Sequence, residues 1–158
     1  LRVGLGLDVH ALKVGKEVIL GGVKIPHSAS LDGHSDADVL LHALIDALLG
    51  AAGAGDIGEH FPPREEKYRN ISSLKLLKET QKIVHHKGFV LNNIDLTIIA
   101  EEPKISPYKK EIISRIAESL QLEKDMINLK ATTAEGLGFT GRKEGIAAQA
   151  IVSLKQEQ

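Results

Sequence analysis

The sequence predicts a two-layer α+β domain, a mixed four-stranded sheet with helices on one face. Three patterns predict it. Residues 1–10, LRVGLGLDVH, alternate strictly, which is the period of a strand. Residues 39–48 place Val39, Leu40, Ala43, Leu44, Ala47 and Leu48 at helical spacing instead. Beyond them strand-like and helix-like stretches interleave, with no internal repeat, linker or low-complexity tract, so residues 1–158 read as a single domain.

In the first strand Leu1, Val3, Leu5, Leu7 and Val9 share one face, and Arg2, Gly4, Gly6, Asp8 and His10 share the other. Gly4 and Gly6 leave room there for another group to approach closely. Residues 17–26 read as two short strand pieces around Gly21 and Gly22, ended by Pro26. The small, polar residues 27–33 then form a loop leading to His34. Ser35 with Asp38 three residues later fits a capping box that opens the first helix. The glycines and prolines of 50–63 cannot continue it, and 64–70 form a charged, mobile loop.

Ser72 to Gly88 is a second amphipathic helix, with Leu74, Leu77, Ile83 and Val84 inward and Gly88 as its stop. Residues 89–100 form a strand with Ile94, Leu96, Ile98 and Ala100 on one side. Ser106 and Pro107 suit the N-cap and first position of a third helix, which runs to Leu120. An alternating strand at 127–133, a glycine-rich loop at 134–142 and a strand at 146–154 complete the chain. In that last strand Ile146, Ala148, Ala150, Val152 and Leu154 face the core. The opposite face, Ala147, Gln149, Ile151 and Ser153, is too apolar to stay wet, so another copy of the chain is expected to cover it.

Composition removes several classes of function. A net charge of −1 argues against nucleic-acid or anionic-membrane partners through bulk electrostatics. The absence of Cys excludes disulfides, thiolate metal sites and Cys nucleophiles. Aromatic residues are too few for base-stacking platforms. No apolar run reaches membrane-spanning length, and no signal-peptide pattern precedes the first strand. A cytoplasmic location is expected, with an organelle reached through a removed transit segment as the other.

Chemistry concentrates in two places. Asp8 and His10 project the same way from their strand, roughly 7 Å apart. On the first helix Asp38, His42 and Asp46 lie one turn apart along one face. Asp8, His10 and His42 together offer two imidazoles and a carboxylate, the ligand set of a catalytic zinc with an open position. Asp38 or Asp46 could orient His42 through its second ring nitrogen. His34, just outside the helix start, could donate to a phosphate at the free backbone N–H groups, or stand as a surface residue. His85 and His86, adjacent on a helix, point in different directions and read as structural.

Thr132, Thr133, Lys104 and Arg142 suit phosphate, and Glu135 could hold a harder cation such as magnesium between phosphate oxygens. The chain lacks H-E-x-x-H and a Walker A motif. Metal-assisted phosphoryl transfer fits best. Two rivals stand beside it: a zinc-dependent phosphoester hydrolase using a metal-bound water, and a non-catalytic domain with a structural zinc.

Five stretches carry a resemblance over essentially the whole chain. They are GLGLDVHAL (4–12), GGVKIPH (21–27), GHSDADVLLHALIDALLGAAGAGDIGEHFP (33–62), NIDLTIIAEEPKISP (93–107) and KATTAEGLGFTGRKEGIAAQA (130–150). The sequence resembles the 2-C-methyl-D-erythritol 2,4-cyclodiphosphate synthases, lyases of the non-mevalonate isoprenoid pathway. The resemblance implies a homotrimer with active sites between subunits. Its substrate is 4-diphosphocytidyl-2-C-methyl-D-erythritol 2-phosphate, cyclised with release of CMP.

Carried over by position, Asp8, His10 and His42 would bind zinc, with Asp8 and His10 also bordering substrate. Glu135 would hold magnesium or manganese. His34 and Thr133 would be catalytic, stabilising developing negative charge. Ser35, Asp56, Ile57 and Gly58 would contact the methylerythritol part, and Phe61, Pro62, Pro63, Arg64 and Glu65 its phosphates and hydroxyls. Ala100, Pro103, Lys104, Ile105 and Ser106 of a neighbouring subunit would read cytosine, with Thr132 nearby. Phe139 and Arg142 resemble the lining of an axial cavity that can hold an isoprenoid diphosphate. Two positions depart from the family pattern. Pro63 stands where Asp is common, and Gln149 where an acid can occur, which would leave the Arg142 region more positive.

Overall fold

In the computed structural model, which describes residues 1–158, the first strand runs past its strictly alternating stretch, as β1 (Arg2–Val14). It lies between two antiparallel partners. One is β4 (Ala29–Leu31), in register Leu12↔Leu31; the other is β7 (Gly145–Gln156), in register Asp8↔Ala148. Strand β5 (Phe89–Ile99) pairs antiparallel with β7 and parallel with β6 (Ile127–Thr132). The sheet therefore has five strands, in the order β4-β1-β7-β5-β6, rather than four. The extra one falls in the stretch expected to be loop. Three residues are too short to display a period, and β4 exists because β1 offers it an edge. Strands β2 (Glu17–Leu20) and β3 (Val23–Pro26) form a separate hairpin, turned at Gly21 and Gly22, both at positive φ.

Helix α1 (Val39–Ala52) is the centre of the fold. Eleven of its 14 residues are buried, leaving His42 and Asp46 half-buried and Gly50 exposed. So the polar residues of this helix do not form a solvated face; each has a local job. The glycine face of β1 allows α1 to come unusually near. A Cβ on Gly4 would lie 1.9 Å from the Ala47 carbonyl oxygen, and one on Gly6 1.9 Å from that of Ala43. Helix and strand backbones are all but touching, which brings the β1 side chains beyond the glycines up against the first turn of α1.

Helix α1 starts at Val39, not at Ser35, and its N-cap is Asp38. The capping-box reading fails because Asp38 is itself the cap, accepting from the Leu41 N–H. A short helix, α2 (Ile57–His60), follows, then α3 (Ser73–His86), α4 (Lys109–Leu120) and α5 (Gly138–Gly141). On α3 the buried apolar residues are Leu76, Leu77 and Val84, while Leu74 and Ile83 are half-buried. A 3₁₀ turn over Ser106–Tyr108 leads into α4, so the Ser106 hydroxyl caps nothing.

The long helices cover one face of the sheet. The other face is open and apolar, with Leu1, Val3, Leu5, Leu7, Val9 and Ile151 all exposed, from 46% for Val9 to 86% for Leu1. No helix is long and apolar enough to cross a membrane.

Candidate metal centre and its cavity

Asp8 and His10 lie on the α1-facing side of β1, two residues beyond the glycines. His42 lies in the first turn of α1. Their ligand atoms converge, all within 4.8 Å of one another. The Asp8 Oδ2 atom is 3.0 Å from His10 Nδ1 and 3.3 Å from His42 Nδ1. Asp8 Oδ2 and His10 Nδ1 are buried yet lack an aligned hydrogen bond, despite their proximity. Groups that approach closely without aligning are aimed at a common third partner. Ligands about 2 Å from one tetrahedral zinc stand roughly 3.3 Å apart, which matches the carboxylate–imidazole separations. The residues fit a divalent cation.

Electrostatics agree. Burial opposes the Asp8 charge, but the close approach of the His10 and His42 rings and their attraction outweigh it and hold the carboxyl down at about 2. Burial likewise disfavours a charged His42, but the Asp8 carboxylate wins and its pKa rises.

Neither carboxylate proposed as an orienting partner touches His42. Asp38 is wholly buried. It accepts from the N–H groups of Gly21 at 3.0 Å, Gly22 at 2.7 Å and Leu41 at 3.0 Å, tying the β2–β3 turn to the start of α1. Burial pushes its carboxyl up to about 6. Asp46 accepts from the Ile57 N–H at 2.8 Å and so fixes α2. Both carboxylates are drawn away by backbone donors nearer than the ring.

His42 Nε2 instead lies 3.1 Å from Ser35 Oγ and 3.0 Å from Ser73 Oγ. Ser73 in turn donates to Asp36 at 2.5 Å. Sequence spacing points to neither Asp36 nor Ser73. Asp36 sits two residues before Asp38, but Ser73 comes from α3, and no local pattern links it to His42.

A cavity of about 590 Å³ opens beside the centre. Its lining brings together His10, His34, Ser35, His42, Ile57, Gly58, Phe61 and Pro63. Pro63, Arg64 and Glu65 also border an adjoining groove with His34, and Pro62 is half-buried between them. Asp56 caps α2 through the Glu59 N–H and stays exposed. The 64–70 stretch is tied to the site, since Asn70 donates to the His34 carbonyl and Phe61 meets Tyr68 edge to face. His34 stands five residues before α1 rather than at its mouth. The Asp38 carboxylate already takes a free N–H there, which leaves that helix end unsuited to a phosphate.

The remaining candidates form a second group. Sheet register places Val9, Ala147, Ile99 and Thr132 in one row. Thr132 and Thr133 thus reach the same end of the sheet as Asp8 and His10, but three strand spacings away, about 14 Å. Glu101 ties this group together by accepting from the N–H groups of Ala134 and Gly136, both at 3.1 Å. Glu135 sits in that loop at positive φ, and its N–H is 3.3 Å from Thr133 Oγ1. Ala100 and Ile105 are buried beside it; Pro103 is half-buried, and Lys104 and Ser106 are exposed. Phe139 is partly exposed, and Arg142 pairs with Glu144 at 2.9 Å. Whatever position 149 contributes, Arg142 already has a carboxylate. A single chain does not bring the two groups onto one cavity.

The model of the YgbB family matches residues 1–155. The chain belongs to the YgbB family. Its curated YgbB relatives include the 2-C-methyl-D-erythritol 2,4-cyclodiphosphate synthase of Agathobacter rectalis, 58% identical over 154 residues, which cover 98% of this chain and 87% of the relative. Among solved structures, the bifunctional IspDF of Campylobacter jejuni superposes with a TM-score of 0.94 at 46% identity. That match covers 98% of this chain, which spans 42% of the larger protein. The IspF of Plasmodium falciparum, solved as a CDP complex, gives a TM-score of 0.87 at 34% identity over 99% of this chain and 97% of the other.

Proposed function

We propose that this chain cyclises 4-diphosphocytidyl-2-C-methyl-D-erythritol 2-phosphate to 2-C-methyl-D-erythritol 2,4-cyclodiphosphate, as a lyase of the non-mevalonate isoprenoid pathway. An oxygen of the 2-phosphate attacks the β-phosphorus. The bond from that phosphorus to the bridging oxygen breaks, and CMP departs with the electron pair. The observation that carries this reading is a three-ligand centre open to a cavity, in a chain whose relatives bear the synthase name. Structural zinc sites close with four protein ligands; here only three converge. The hydrolase alternative gains no observation of its own.

Asp8, His10 and His42 would hold zinc, which when bound supplies Lewis-acid charge at a diphosphate oxygen. His34 and Ser35, on the cavity wall, donate to phosphate and hydroxyl oxygens of the substrate. Ile57, Gly58, Phe61 and the 62–65 stretch shape the methylerythritol end and exclude water. Pro63 has no N–H to offer, so its contribution is shape alone. The second group, with Thr133 as an oxyanion donor and Glu135 as ligand of magnesium or manganese, completes the site from a neighbouring copy. There Ala100 to Ser106 and Thr132 contact cytosine.

The exposed apolar face of β1 and β7 is the surface such a homotrimer would bury. Phe139 and Arg142 would then approach the trimer axis, where an isoprenoid diphosphate could bind. A substrate bearing three phosphate groups does not cross membranes, so the enzyme works in the compartment that makes its substrate; its bacterial curated relatives favour a bacterial cytoplasm.

CMP release from the cytidyl substrate, measured before and after chelation, tests the proposal. Activity should vanish with chelator, return with zinc plus magnesium, and be lost in a folded His42→Ala variant. CMP release unaffected by chelator and by His42→Ala would overturn it.

A further inference from the structure

The metal ligand His42 is held from behind by a chain of two residues that comes from another helix. Ser73, fully buried at the start of α3, places its Oγ 3.0 Å from His42 Nε2 and 2.5 Å from Asp36 Oδ1. Asp36 is itself fixed. Its Oδ2 accepts from the Ser73 N–H at 2.9 Å, and its Oδ1 from the Asp38 N–H at 3.2 Å.

The direction of the protons follows from what each group can do. A carboxylate can only accept, and a serine hydroxyl has one proton. That proton goes to Asp36. The Ser73 oxygen is then left as an acceptor, and the hydrogen between it and His42 belongs to Nε2. A neutral imidazole protonated on Nε2 carries its lone pair on Nδ1. Nδ1 is the atom that lies 3.3 Å from Asp8 Oδ2, on the ligand side. Two independent pieces of geometry thus select the same ring nitrogen.

We infer that Asp36 and Ser73 are positioning residues that lock His42 in its Nε2–H tautomer and aim Nδ1 at the metal. Their action is indirect, through the ring. The inference rests on the metal reading above and adds α3 to the centre, so that β1, α1 and α3 each fix one side of it. It also assigns Ser35, whose Oγ lies 3.1 Å from the same Nε2. With the Nε2 proton given to Ser73, the Ser35 hydroxyl keeps its own proton for the cavity.

Two measurements test this on the full-length protein. Zinc affinity is read by competition with a chromophoric chelator in wild type, Ser73→Ala, Asp36→Asn and Ser35→Ala. Ligand-supporting partners of this kind are worth about 10- to 100-fold in metal affinity. Ser73→Ala and Asp36→Asn should lose that much, and Ser35→Ala much less. The second readout is the ¹⁵N histidine spectrum of the zinc-loaded wild type, which should show His42 protonated on Nε2; it needs no variant and stands even if Asp36→Asn fails to fold.

Wild-type affinity in folded Ser73→Ala, a loss confined to Ser35→Ala, or an Nδ1-protonated His42 would each overturn the inference while leaving the metal site intact. A wild type that binds no zinc would overturn the metal reading, and the inference with it.

Discussion

Replacing Gly6 with alanine should disable the metal centre without touching a ligand. The new Cβ would begin 1.9 Å from the Ala43 carbonyl oxygen and 2.8 Å from the Ala47 nitrogen, both in the helix backbone. Backbone cannot swing aside as a side chain can. A carbon and an oxygen in ordinary contact stand about 3.3 Å apart, so α1 and β1 must separate by more than about 1 Å. The three converging side chains are divided across that same seam, with Asp8 and His10 on β1 and His42 on α1. A metal site tolerates only about ±0.2 Å in its ligand distances.

Forcing a methyl into packed backbone costs at least the upper part of the overpacking range, about 3 kcal/mol. For a domain of this size that lowers Tm by roughly 6–12 °C. Thermal melting and chelator competition measure both effects on one preparation. Gly50→Ala is the control, since nothing lies within 4 Å of its Cβ and it faces solvent on α1. It should gain about 0.5–1 kcal/mol from helix propensity and leave zinc binding unchanged. A Gly6→Ala protein with wild-type Tm and wild-type zinc affinity would refute the claim that this close approach builds the site.

Asp38 and the open sheet face yield two more. The folded pKa of Asp38 is raised from 3.8 to about 6, so its stabilising contribution is full below about 3.8 and is lost as pH rises through about 6. Unfolding free energies of wild type and Asp38→Asn should therefore diverge between those values by roughly 3 kcal/mol, and parallel pH curves would contradict this. Leu5→Asp places a charge in the exposed apolar face, where Leu5 is 66% accessible. It should shift the species seen by light scattering from trimer to monomer and abolish CMP release. A fully active monomer would rule out a site shared between copies.

Periodicity carried the fold because most long elements bury one face, although in β1 the buried face is the glycine one and the apolar face stays open. The alternation of β1 and β7 survives in the structure, as do Leu77 and Val84 on the inward side of α3. Where burial leaves no period, the sequence is silent. Strand β4 is three residues held by an edge, and the start of α1 depends on Asp38 meeting a distant hairpin turn. In the site, Asp8, His10 and His42 were legible because strand and helix periods fix where their side chains point. Asp38 and Asp46 shared the correct helix face and still served other donors, since spacing gives direction and not partner. Ser73 was beyond reach: it meets His42 only through the packing of α3 on α1.

Product identity decides whether these residues perform an intramolecular phosphoryl transfer. The purified protein, loaded with zinc and magnesium, is incubated with 4-diphosphocytidyl-2-C-methyl-D-erythritol 2-phosphate and followed by ³¹P NMR. A pair of coupled cyclic diphosphate resonances should grow in step with one equivalent of CMP. Inorganic phosphate, or CMP beside an open-chain 2,4-bisphosphate, in their place would mean that water, not the substrate's own 2-phosphate, is the nucleophile.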